Sequence, residues 1–179
     1  FNSAGAVTIA EDSAMDIVGV STAGSATLSS TGALSDAGAT SIDITGHGDF
    51  SGTSINLGGG TFNTGTLSFN SAGAVTIAED SSTMLSGTST ASSLSLNSSA
   101  GIENDATANL TVTNNASFAG ASISLGSVGG DSMNFGTLTF DSVGKVTIHE
   151  DSSTLLTSTS NAGSLELFSA GALEDEGNL

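Results

Sequence analysis

Residues 1–12 read FNSAGAVTIAED, residues 69–80 read FNSAGAVTIAED again, and residues 140–151 return as FDSVGKVTIHED. The first interval is 68 positions and the second is 71. Self-similarity at a period of this size is the signature of stacked repeats, in which each unit buries its apolar face against the next. The likeness continues past the dodecamer. Leu28, Leu96 and Leu167 correspond, as do Leu34, Ile102 and Leu173. Ile42 and Ile44 match Leu110 and Val112, and Phe50-Ser51-Gly52 matches Phe118-Ala119-Gly120. Three extra residues around Val128–Gly130 account for the longer second interval. The chain therefore divides into repeat unit 1 (1–68), repeat unit 2 (69–139) and a partial unit 3 (140–179). It reads as one continuous solenoid, a window on a longer array.

Within a unit, apolar residues recur at every second position in short bursts, such as Val75-Thr76-Ile77, Leu94-Ser95-Leu96, Leu110-Thr111-Val112 and Ile123-Ser124-Leu125. A period of two belongs to half-buried strands, because successive side chains point to opposite faces. Gly, Ser, Asn and Asp fill the gaps, as turns require. No segment sustains a helical period. The nine bursts of unit 2 lie at 67–69, 75–77, 83–85, 94–96, 101–103, 110–112, 116–118, 123–125 and 133–135, and group as three rungs. The expected fold is all-β, a parallel β-helix with about three rungs per 68–71-residue repeat. At a strand spacing of about 4.8 Å a unit advances roughly 14 Å, and the rod is about 35–40 Å long. The absence of Pro agrees, since every rung donates N–H groups to its neighbour.

Composition closes several functional classes. The 179 residues carry 18 acidic side chains against one basic side chain, Lys145, for a net charge of -17. Such a surface repels nucleic acid and anionic lipid, which are bound through Lys and Arg. No apolar run approaches the roughly 20 residues of a spanning helix, and no cationic, apolar opening stretch reads as a signal peptide. There is no Cys, so disulfides and thiolate metal sites are excluded. The 33 Ser and 23 Thr leave a hydroxyl-rich exterior, while 37% hydrophobic content is enough for a packed core.

Segments such as SLSLNSSAGIENDATANLTV (93–112) and GTLTFDSVGKVTIHED (136–151) resemble repeats of the giant secreted bacterial exoproteins, the filamentous-haemagglutinin-like and autotransporter-type surface adhesins. The resemblance is one of rhythm and composition and spans essentially the whole chain. It implies a right-handed coil, a bacterial cell-surface or secreted location, and a role in adhesion or matrix formation with surface glycans or receptors as partners. The chain has neither the family's secretion domain nor an Arg-Gly-Asp tripeptide.

Three acidic pairs recur with the repeat: Glu11-Asp12, Glu79-Asp80 and Glu150-Asp151. Each follows a Val-x-Ile strand, and the three are expected at one corner of successive units. Hard oxygen ligands at a turn make them candidate calcium ligands, although one ion takes six to eight oxygens and cannot bridge pairs about 14 Å apart. The alternative is a solvated acidic corner that limits edge association. A glycosidase pair is disfavoured because the acids repeat and no Trp or Tyr is present to stack on sugar. His47 and His149 fall at unrelated positions of the repeat, without companion metal ligands. No Ser lies in a nucleophile elbow. The sequence expectation is thus a non-enzymatic extracellular structural or adhesive rod that self-associates end to end. A solenoid module binding calcium, glycan or ice is the alternative.

Overall fold

The computed structural model describes residues 1–176, all of it strand and turn. In chain order the strands are β1 (Ala6–Glu11), β2 (Met15–Ile17), β3 (Val20–Ala23), β4 (Ser25–Ser30), β5 (Leu34–Asp36), β6 (Ser41–Gly52), β7 (Ile55–Leu57) and β8 (Thr61–Ser71). They continue as β9 (Ala74–Glu79), β10 (Thr83–Leu85), β11 (Thr88–Ala91), β12 (Ser93–Ser98), β13 (Gly101–Asn104), β14 (Asn109–Ala119), β15 (Ser122–Leu125) and β16 (Ser132–Asp141). The last four are β17 (Lys145–Glu150), β18 (Thr154–Leu156), β19 (Ser164–Ser169) and β20 (Leu173–Asp175). All nine bursts of unit 2 fall inside strands.

Every strand pairing is parallel, which makes the molecule a β-solenoid of about eight turns. One column runs β1–β4–β6–β8–β10–β13–β15–β17–β19, eight steps long. At about 4.8 Å per step that column is roughly 38 Å long, the length expected from the repeat. A regular rung has three sides. A six-residue strand is followed by a three- to four-residue strand and then by a second short strand, as in β9, β10 and β11. In β6, β8, β14 and β16 the last short strand runs directly into the next long one, around a corner. A register shift marks that corner in β6 between Ile44 and His47, and in β14 between Val112 and Asn115.

Inward residues stack rung upon rung. Leu57, Ile77, Leu96, Phe118 and Phe140 are successive partners in one column and are all at most 3% exposed. Burying each such side chain stabilises the fold by roughly 1.5–3 kcal/mol, and the stack shares one continuous core. Phe50 packs edge-to-face on Phe62 at 5.6 Å, and Phe118 on Phe135 at 5.5 Å. The aromatic partner shifts by two residues between units. Phe62 and Thr64 become Met133 and Phe135, so bulk moves along one strand without leaving the core.

The corners are equally regular. Ser30, Ser98 and Ser169 each donate their hydroxyl to two carbonyls of a turn, those of Ser13 and Ala33, Ser81 and Gly101, and Ser152 and Ala172. Gly19 and Gly87 occupy the left-handed region with φ of 72° and 70°, and the third unit puts Ser158 there with φ of 59°. Glycine meets that requirement without a Cβ clash; serine does not.

The expectation of about three rungs per unit misses a half-turn. From β1 to β17, the heads of units 1 and 3, the column advances seven steps, which is three and a half rungs per unit. The head of unit 2, β9, consequently sits in a different column, β2–β5–β7–β9–β12. Sequence repeat and coil repeat are thus out of phase. The rungs are 18 to 23 residues along the paired column. The short strand β11, Thr88–Ala91, has no large apolar residue, so the apolar alternation does not mark it.

Candidate functional site

The half-turn creates a joint between units. When β9 seats on β7, with Ile55 against Val75 and Leu57 against Ile77, no strand among the described residues pairs with the side of Thr61–Thr64 in β8 that faces away from β6. Its N–H groups still need acceptors. The acidic pair supplies them. Asp80 Oδ2 accepts from Phe62 N at 2.9 Å, and Asp80 N donates to Phe62 O at 2.9 Å. Glu79 Oε1 accepts from Thr64 N at 2.8 Å and from Thr64 Oγ1 at 3.1 Å. Two carboxylates therefore stand in for a strand, engaging donors two residues apart.

The next joint repeats the arrangement. Asp151 Oδ2 accepts from Met133 N at 2.9 Å, and Glu150 Oε1 from Phe135 N at 2.9 Å. Glu79 and Glu150 are each only 3% exposed. Burial pushes the Glu79 carboxyl above its ordinary value, and the hydrogen bonds from Thr64 and Ser81 offset part of that rise. The two joints differ in one detail. Glu150 Oε2 accepts from Thr154 Oγ1 at 2.7 Å, whereas Glu79 Oε2 and the matching Thr83 Oγ1 have no bond. Thr64 explains the difference: its hydroxyl draws Glu79 Oε1, and Phe135, which replaces it, has none to offer.

The six candidate calcium ligands are accordingly not gathered at one corner. Glu11-Asp12 and Glu150-Asp151 share a column but lie seven steps, roughly 34 Å, apart, and Glu79-Asp80 is in another. The half-turn in each unit separates them. Among the described residues no three His, Asp or Glu side chains converge as a metal group would. At both internal joints the carboxylate oxygens face N–H donors, positions a cation would have to contest. Among the described residues Glu11 and Asp12 have no such partner: the Glu11 carboxylate accepts from Ser13 Oγ at 2.9 Å, and Asp12 is exposed.

A second polar cluster escaped the sequence reading because its members come from adjacent rungs. His47 Nδ1 meets Thr66 Oγ1 at 2.8 Å and Nε2 meets Ser68 Oγ at 3.0 Å, while Ser68 donates to Asp49 at 2.9 Å. Ser, His and Asp are together, yet in the wrong order for a nucleophile. The serine proton points at the aspartate, the aspartate does not touch the imidazole, and Ser68 is buried. Asp36, also missed, accepts from Gly59 N and Gly60 N at 3.0 Å each and closes a turn; Asn104 takes its place in unit 2, accepting from Gly126 N. Only the repeat alignment of Asp36 with Asn104 could have signalled it.

At the far end, His149 lies 4.2 Å from the Phe168 ring, and Leu165, Phe168 and Leu173 are about half exposed. Lys145 pairs with Glu166, whose carboxyl it holds below the ordinary value. No helix is long and apolar enough to cross a membrane among the described residues. No protein-family model, curated protein or solved structure matches the chain.

Proposed function

We propose that the chain is a non-enzymatic structural element, a stiff β-helical rod segment of a bacterial extracellular adhesin or filament that self-associates end to end. The observation that carries this reading is the unbroken parallel column from β1 to β19. Its polar groups are turned to holding rungs together. Thr22 donates to Asn2 and Thr90 to Asn70, both at 2.9 Å, and equivalent Ser hydroxyls close each corner. A rod of this build displays a surface at a distance, and the edge of a parallel sheet is able to template another chain.

Cryo-electron microscopy of the purified chain tests the assembly. Filaments with an axial spacing near 4.8 Å support it. Discrete particles without axial order would sink end-to-end growth. The alternative, a ligand-binding solenoid, has the acidic pairs as its calcium candidates. A melting midpoint raised by millimolar calcium and restored by a chelator would favour that alternative.

A further inference from the structure

The two internal joints supply their buried glutamates with equally many donors but distribute them differently. Glu150 Oε1 accepts from Phe135 N and Ser152 Oγ, both at 2.9 Å, and its Oε2 accepts from Thr154 Oγ1 at 2.7 Å. At Glu79 every donor falls on one oxygen. Its Oε1 accepts from Thr64 N at 2.8 Å, Thr64 Oγ1 at 3.1 Å and Ser81 Oγ at 3.4 Å. Among the described residues Glu79 Oε2 and the hydroxyl of Thr83, which stands where Thr154 does, are both buried and both without a partner. That split is the pattern of a carboxylic acid rather than a carboxylate. In the acid one oxygen only accepts, while the other carries a proton and needs an acceptor.

The surroundings agree. Glu79 is 3% exposed, and the strands around it, β7, β8, β10 and β12, carry no ionisable side chain. Its ionisable neighbours are Asp80, next in the chain, and, one strand further out, Asp36 on β5 and Glu103 on β13. All three are acids. They offer no positive charge to a buried anion, and burial pushes the Glu79 carboxyl above its ordinary value.

We propose that the joint between units 1 and 2 is a single-proton site: a proton on Glu79 Oε2, donated to Thr83 Oγ1, locks that joint, and the joint between units 2 and 3 has no place for one. Thr64 creates the site, because its hydroxyl holds the Glu79 carboxyl by Oε1 and leaves Oε2 without a donor. Phe135 replaces Thr64 at the other joint, and there Thr154 itself donates to Oε2. The rod thus has one joint whose strength depends on pH and one whose strength does not. Loss of the proton leaves a bare, buried carboxylate oxygen, and the cover over Phe62 and Thr64 loosens. The inference concerns cohesion within one chain and holds whether or not chains join end to end.

Amide hydrogen exchange of the full chain, corrected for its intrinsic pH dependence, reads the two joints separately. From about pH 5 to about pH 8, above the ordinary carboxylate range, protection of the Phe62 and Thr64 N–H groups should fall roughly tenfold, the effect of one unsatisfied buried acceptor. Protection of Met133 and Phe135 should change by less than about twofold. Thr83→Val removes the acceptor and keeps the shape, and should lower protection at the acid end to the level of the alkaline end. Thr64→Val frees the Glu79 carboxyl to meet Thr83 as Glu150 meets Thr154, and should keep protection high at both ends. Equal pH responses at the two joints overturn the proposal. So does a Thr83→Val chain that loses protection by the same factor throughout, the mark of a buried water between the two oxygens. An NMR titration of the Glu79 carboxyl carbon needs no variant: a signal that does not move between about pH 5 and about pH 8 overturns it as well.

Discussion

Residues 1–12 and 69–80 are the same twelve amino acids, yet they have different roles in the molecule. In the second copy Val75 and Ile77 are at most 1% exposed and Glu79 is buried as an acceptor for a neighbouring strand. In the first copy Ile9 is 38% exposed and Asp12 faces solvent. Both form a six-residue strand ending at the glutamate. Identical local sequence therefore sets the strand but not its burial. Burial comes from having a rung on both sides: Ile148 of β17, in the same column as Ile9, is fully buried between β15 and β19.

The largest break in the comparison should come from the core. Ile77→Ala removes a fully buried side chain between Leu57 and Leu96 and should cost about 3–4 kcal/mol in denaturant unfolding. Ile9→Ala, from the same sequence context, should cost about 1 kcal/mol. Equal losses would mean that the first rung is covered in solution.

Backbone proximity gives the next contrast. A Cβ on Gly73 would lie 2.3 Å from the carbonyl oxygen of Thr53, whereas at Gly5 the nearest atom is Ser3 Oγ at 3.8 Å. Gly73→Ala should destabilise by about 1–3 kcal/mol, because the contact is with backbone that cannot rotate away. Gly5→Ala should stay within about 0.5 kcal/mol of the parent. Thermal melts of the two variants decide it.

The joint carboxylate supplies a pH test. Glu79 has a raised value in the fold, so the folded state holds its proton to higher pH than the unfolded chain does. Its contribution to stability is full below the unfolded value of about 4.5 and is lost as pH rises through the folded one. Glu79→Gln keeps an acceptor for Thr64 N and adds a donor for Thr83 Oγ1. The stability of that variant should fall less steeply above pH 4.5 than the parent's, read as the difference between two urea series. Parallel curves would show that Glu79 is not buried at a joint.

The smallest effect is expected where the third unit departs from the other two. Ser158→Gly restores the residue found at Gly19 and Gly87 in the left-handed turn and should stabilise by about 0.5–1 kcal/mol. No gain in melting temperature would mean that the turn relaxes.

Much of this architecture was legible from spacing. The alternation in Val75-Thr76-Ile77 and Leu94-Ser95-Leu96 marks strands, because a two-residue period leaves no helical face. Aligned Leu28, Leu96 and Leu167 mark stacked core. The acidic pairs were visible as a recurrence, but their partners were not. Phe62 and Thr64 precede Glu79 by 17 and 15 positions and share no motif with it. The Asp49–Ser68–His47 cluster was hidden for the same reason, since its members meet only when consecutive rungs stack.

By itself the sequence determined the strands, the parallel stacking of near-identical units, the acidic exterior and the approximate length of the rod. These follow from residue period and composition, which act locally or sum over the whole chain. The tertiary structure decided the half-turn per unit, the column each dodecamer occupies and the role of each Glu-Asp pair. The number of residues needed to close a rung depends on corner geometry, and small differences in it accumulate from rung to rung. After 68 residues they place the same twelve side chains on a different side of the coil.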